Sequence, residues 1–265
     1  MVYIVNLNNS FIDSLLYLNE YYGVTQNPDT KDFIIIMKYY KSDLRNYITK
    51  NKDFYNIQWE KKLKILKHIA KGLSHIHNQN IIHHDLHSEN ILCENENDVV
   101  ISDLGISKSA MESANDNKII GIISYIAPEI LQRKECTKAS DIYSFSIVMW
   151  ELLTGRMPFT PFDFDNTTEF MIGILDGHRP KHKDYIAPEG YFKLMQECWN
   201  PDPIKRPNAY DIMQKLDDML KLEVNNNPTE IIKLSDITDI IPTSKPKGKQ
   251  LSSAIISTRS SELGK

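Results

Sequence analysis

Three side chains stand in an order that suits phosphoryl transfer. Asp85 and Asn90 lie in Ile81-Ile82-His83-His84-Asp85-Leu86-His87-Ser88-Glu89-Asn90, and Asp103 opens Asp103-Leu104-Gly105. A carboxylate at Asp85 can accept the proton of an attacking hydroxyl, while Asn90 and Asp103 can hold a divalent cation between phosphates. Ala127-Pro128-Glu129 follows at a short distance. Asp and Asn are also ordinary turn residues, so any one of these triplets carries little by itself. Their ordered succession carries much more.

Such residues need a scaffold, and its elements are readable in the chain. Residues 1–40 read as β-rich around one short helix. Strands are expected at Tyr21–Thr25 and Phe33–Met37, with a turn at Gln26-Asn27-Pro28-Asp29-Thr30. Ser42 is expected to cap a helix from Asp43 to Lys50. Trp59 to Asn78 carries Leu63, Leu66, Ile69, Leu73 and Ile76 at helical spacing, with lysines opposite. Ser140 to Thr154 is a mostly apolar helix ending at Gly155, so it should be buried on most sides. Further helices are expected over Thr167–Leu175, Tyr191–Trp199 and Asn208–Leu222. From about Asn225 the composition turns to Asn, Pro, Ser, Thr and Lys without period, which reads as a disordered tail over 225–265. Strands followed by helices suit an α+β protein, with a small β lobe over 1–40 and a large helical lobe over 41–224.

The patterns H-x-D-L-x-x-x-N, D-x-G and A-P-E resemble the signature set of the protein-kinase family. The resemblance is nearest to the tyrosine-kinase-like group and its large fungal expansions, and spans roughly residues 2–222. It implies a protein-kinase-like two-lobe fold with a truncated, N-terminally incomplete β-rich N-lobe and a complete helical C-lobe. It also implies ATP and Mg as cofactors, a protein substrate or regulatory protein partner, and transfer to Ser or Thr hydroxyls rather than Tyr. By the same resemblance Asp85 is the base, Asn90 and Asp103 are the metal ligands, and His83 is a structural member of the loop. Met37-Lys38-Tyr39-Tyr40 stands at the hinge, so Met37, Tyr39 and Tyr40 would line the nucleotide. Asp43 would meet the ribose, and Leu92 would lie under the adenine. Glu129 would pair with Arg206, and Asp141 would anchor the catalytic loop by accepting backbone N–H groups.

Several family features are replaced. The family grips the nucleotide phosphates with a glycine-rich loop and a strand lysine paired to a helix Glu. Before Met37 this chain has one glycine, Gly23, and one lysine, Lys31, and neither is placed for those parts. Val2 to Ser10 resembles the lysine-bearing strand and its following loop, with Val5 where the lysine belongs. Leu18-Asn19-Glu20 resembles the helix segment with the pairing Glu. Loss of one preorganised charge costs about 10²–10³ in rate, so weak transfer is expected. The alternative is a pseudokinase acting as an interaction or regulatory module. His84 replaces the usual Arg and is largely neutral near pH 7, which makes Ser107, Ser109 and Ser113 weak switch sites. His87 and Ile122 replace the Lys and Thr that help hold phosphate and acceptor in serine/threonine kinases.

Composition narrows the class. A net charge of −4 gives no electrostatic reason for nucleic acid or an anionic membrane as partner. Cys93, Cys136 and Cys198 are dispersed and odd in number, which argues against a disulfide framework and for a reducing, cytoplasmic or otherwise intracellular compartment. No apolar run reaches membrane-spanning length, and Met1 to Val5 has no basic stretch of the kind that opens a signal peptide.

Overall fold

Strand-forming and helix-forming stretches separate along the chain, and so do the elements they make. The computed structural model describes residues 17–50, 54, 57–104, 108–109, 121–159, 167–182, 185–225 and 228–229. The strand alignment at Val2–Ser10, the switch candidates Ser107 and Ser113, and nearly all of the expected tail lie outside the described residues. Strands β1 (Tyr21–Gln26) and β2 (Phe33–Met37) form an antiparallel ribbon. β3 (Ser42–Asp43), β5 (Ile91–Asn95) and β6 (Asp98–Ile101) form a second sheet, and β4 (Ile81–Ile82) pairs with β7 (Lys108–Ser109). The helices are α1 (Leu44–Lys50), α2 (Trp59–Asn78), α3 (Pro128–Leu131), α4 (Lys138–Thr154), α5 (Thr167–Leu175), α6 (Tyr191–Cys198) and α7 (Ala209–Asn225). The result is an α+β, protein-kinase-like fold.

The small elements depart from the expected ones in two places. Leu18-Asn19-Glu20 is not helical. Leu18 forms a parallel bridge to Ile101, with Asn19 N donating to Ile101 O and Ile101 N donating to Tyr17 O. The unpaired edge of β6 is a stronger claim on this segment's backbone groups than a short helix would be. Ser42 does not cap α1, because Ser42 and Asp43 pair with Cys93 and Leu92 as β3. Asp43 takes the capping part, with its Oδ1 accepting the Asn46 N–H at 2.7 Å. Elsewhere the boundaries shift by a few residues. α4 begins at Lys138 because Thr137 and Ser140 close a capping box there, and it ends at Gly155 in left-handed conformation, φ 68°.

The core belongs to the helical body. Along α2 the side chains of Leu63, Leu66, Ile69, Ala70, Leu73 and Ile76 are buried on one face. α4 is buried from Ser140 to Thr154, and Trp59 meets Tyr191 edge-on at 4.9 Å between ring centroids. The β1–β2 ribbon is different, since every residue in both strands is exposed. Phe33 is 77% exposed, and Ile34, Ile35 and Ile36 are open as well. Apolar side chains on both faces of a two-stranded ribbon gain little from folding alone.

Two polar braces hold the helical body around the loops. Arg206 grips Glu129 bidentately, Nη1 to Oε1 and Nη2 to Oε2 each at 2.7 Å, with both side chains almost fully buried. Arg206 also donates to Ala139 O and Asn200 O, and Ser140 Oγ donates to Glu129. The second brace centres on Glu151 of α4. Its Oε1 accepts from Ser88 Oγ at 3.0 Å and lies 3.6 Å from Arg45 Nη2, which also donates to the Tyr125 hydroxyl. Among the described residues Glu151 Oε2 has no hydrogen-bond partner. Burial pushes this carboxyl up to about 7, against the pull of Arg45, Tyr125, Ser88 and His87.

Glu129→Ala should lower stability by about 3–5 kcal/mol, because it leaves the Arg206 charge buried and unpaired. Glu129→Ala with Arg206→Met should lose less, as read from the two urea midpoints. For Glu151 the folded state binds the proton more tightly than the unfolded chain. Its contribution is therefore full below the ordinary Glu range and is lost as pH rises through about 7. Glu151→Gln should flatten the decline of stability between pH 5 and 8, a window whose full effect is on the order of 3 kcal/mol. Denaturation curves of both proteins across that range measure it.

Candidate functional site

The loop from His83 to Asn90 lies between β4 and β5 and is tied down mainly through its backbone. Asp141, near the start of α4, accepts His83 N at 2.8 Å and His84 N at 3.1 Å, and its Oδ2 is 2.8 Å from His77 Nε2. Burial opposes the charge on Asp141, but the bond from His77, the fields of His77 and His83 and the His83 N–H hold its carboxyl below the usual value. His84 sits in the left-handed region, φ 73°, so the chain turns sharply just before Asp85.

His83 links this loop to the Asp103 segment. It is fully buried, and desolvation lowers its pKa against the pull of Asp141, Ser102 and Asp85. Its Nδ1 accepts Asp85 N at 3.3 Å and its Nε2 is 2.9 Å from Ser102 O. Those partners fit one tautomer, with the proton on Nε2. Asn90 Nδ2 donates to Asp85 O at 2.8 Å, so the amide oxygen is the atom that could meet a cation. Ser102 returns the link, its N and Oγ both donating to Asn90 O. Asp103, next in the chain, is exposed and left-handed at φ 57°, a conformation a non-glycine residue holds only when its surroundings require it. Leu104 packs against the main core.

Asp85 is partly buried. Burial works against its ionisation, but His87, His83 and Asn90 together hold its carboxyl below the usual range. Gly121, at φ 116°, passes so close that a Cβ there would lie 2.9 Å from Asp85 Oδ1. A side chain at residue 121 would crowd this oxygen.

The other residues singled out in the sequence are placed as follows. Met37 ends β2, and its sulfur accepts from Asn19 Nδ2. Lys38 N donates to Glu20 O and its ammonium pairs with Asp98 at 3.3 Å, lying over the Tyr40 ring. Tyr39 is 84% exposed and Tyr40 is buried. Leu92 in β5 pairs with Asp43 on one side and Val100 on the other, which brings the floor and ribose candidates side by side. Asp43 also bonds Asn46 through both carboxylate oxygens, a tie the sequence reading did not include. Ser109 lies in β7, paired with Ile81. The Glu151 brace was missed as well, because nothing in a mostly apolar helix marks one Glu as a partner for Arg45.

Oxygen donors from Asn90 and Asp103 suit magnesium, which takes few protein ligands and completes its shell with phosphates and water. Among the described residues no group of three or more His, Cys, Asp or Glu could hold a metal by itself.

Comparison with known proteins agrees with this geometry. The family model described as protein tyrosine and serine/threonine kinase matches residues 14–216. The chain is 30% identical to the serine/threonine-protein kinase STY17 of Arabidopsis thaliana over 68% of its own length and 31% of that protein. It is 33% identical to the rat (Rattus norvegicus) mitogen-activated protein kinase kinase kinase 12, over 61% of this chain and 18% of the relative. It is 29% identical to the receptor-interacting serine/threonine-protein kinase 2 of Bos taurus, over 77% and 41% respectively. The chain thus spans less than half the length of these relatives. With the His83–Asn90 loop tied to α4, a bidentate Glu129–Arg206 brace and a family match over most of its length, this chain belongs to the protein tyrosine and serine/threonine kinase family.

Proposed function

We propose that the chain carries ATP- and Mg-dependent phosphoryl transfer to protein hydroxyls, Ser or Thr rather than Tyr, at a much reduced rate. The carrying observation is a contrast. On the acceptor side His83 and Asn90 hold the Asp85 backbone, with Gly121 close to its carboxylate. The phosphate side has no glycine-rich loop and no strand lysine in this sequence. Asp85 takes the acceptor proton, and Asn90 and Asp103 hold magnesium. Met37, Tyr39, Tyr40, Asp43 and Leu92 receive the nucleoside. Magnesium, when bound, neutralises charge on the phosphates it bridges. The preference for Ser or Thr is supported by the relatives named as serine/threonine kinases. An intracellular setting is supported by free thiols at Cys93, Cys136 and Cys198.

A second reading, a pseudokinase that works by binding, has its own support. The β1–β2 ribbon offers open apolar side chains of a kind that mark interaction surfaces.

One experiment separates the two. A ligand at 100 times its Kd stabilises the folded state by about 2.7 kcal/mol. With the phosphate grip missing, millimolar Mg-ATP should give only a small thermal shift, abolished by Asp103→Asn. Transfer to a generic protein substrate should sit about 10²–10³ below an intact kinase and vanish in Asp85→Asn. Brisk Asp85-dependent turnover would overturn the impaired-enzyme reading. No shift with any nucleotide and no turnover would leave the binding module.

A further inference from the structure

We infer that His87 is a positioning residue for Asp85, its Nε2–H steadying Oδ2 so that Oδ1, on the side where Gly121 presents no side chain, takes the acceptor proton. The inference rests on the kinase reading above and adds a residue to it. His87 caps the short 3₁₀ turn Ser88–Asn90, and its Nδ1 accepts Glu89 N–H at 3.3 Å. A ring nitrogen that accepts carries no proton, so the neutral ring bears its hydrogen on Nε2. Nε2 lies 3.6 Å from Asp85 Oδ2. That is too long for a good hydrogen bond at rest and short enough to close with a sub-ångström movement, as catalytic contacts do when substrate binds.

The ring has little freedom to go elsewhere. His87 is buried and packs at 5.9 Å on the Tyr125 ring. The Tyr125 hydroxyl is in turn held by Arg45 and lies 3.2 Å from Ser88 Oγ. A lysine at this position could extend an ammonium towards the nucleotide. An imidazole with one nitrogen committed to the loop backbone and the other facing Asp85 cannot. His87 therefore acts on the carboxylate, and its loss should affect turnover rather than nucleotide affinity.

Asn and Gln separate the two nitrogens. His87→Asn keeps an acceptor near the Nδ1 position, where Asn is a good cap, and has nothing at Nε2. His87→Gln keeps a donor near Nε2. The first measurement is NMR of the full chain with ¹⁵N-labelled imidazoles at one fixed pH. The expected result is the Nε2–H form of His87, with an Nε2–H signal that moves in Asp85→Asn. The second is single-turnover transfer with Mg-ATP, where His87→Asn should lose tenfold or more, on the order of the cost of a small misplacement. ATP affinity should stay unchanged, and His87→Gln should recover most of the rate. The Nδ1–H form, an Nε2 signal indifferent to Asp85→Asn, or wild-type transfer by His87→Asn would each overturn the inference. If the wild type shows no Asp85-dependent transfer, the kinase reading and the catalytic part of this inference fall together. The tautomer result then decides the pairing alone.

Discussion

A single buried carboxylate carries the geometry of the candidate site. Asp141 lies inside the protein, where an unsatisfied charge would cost several kcal/mol. It is tolerable because one ring nitrogen and two backbone N–H groups converge on it. Those same bonds fix the turn at His84, and that turn aims Asp85. The loop therefore takes its shape from α4, the most buried helix, together with bonds among its own residues. His83 passes the constraint onward through Ser102 to Asp103, so Asp85, Asn90 and Asp103 are set by one connected network.

The other braces extend this logic. Glu129–Arg206 ties the segment carrying Ala127-Pro128-Glu129 to the loop before α7, and Ser140 adds a link to the first turn of α4. Glu151 ties Ser88 in the loop to Arg45 in α1, and Tyr125 joins from the other side. α4 is thus a mast with three polar stays, at Asp141, Ser140 and Glu151. Each stay is buried, and low dielectric makes each strong only while it is complete.

How much of this could be read from the chain depends on the kind of signal. α2 and β2 were legible to the residue, because apolar periodicity and flanking turn residues are local. The Glu129–Arg206 pair was expected only through the family resemblance, since their 77-residue separation leaves no local trace. Leu18–Glu20 read as helix because the edge of β6 that claims it lies some eighty residues away. Glu151 was invisible for the same reason. His87 was legible as a departure from the family, but its two nitrogens acquire distinct tasks only when Glu89 N and Asp85 Oδ2 are placed around it.

The two halves of the chemistry rest on unequal supports. Asp85, Asn90 and the A-P-E segment hang from α4 and share the main core, so their geometry is as stable as the helical body. Met37 and the ribbon leading to it meet that body, among the described residues, chiefly through the Leu18–Ile101 bridge, the Lys38–Asp98 pair and Tyr21 beside Asp103 and Leu104. Exposed strands joined so lightly open at much lower free energy than a core helix. The Asp85 loop is therefore built on the helical body, and Met37 on a ribbon with fewer contacts to that body among the described residues. An added lysine would supply charge to the phosphates, but the lysine must also be held still to act in a transition state.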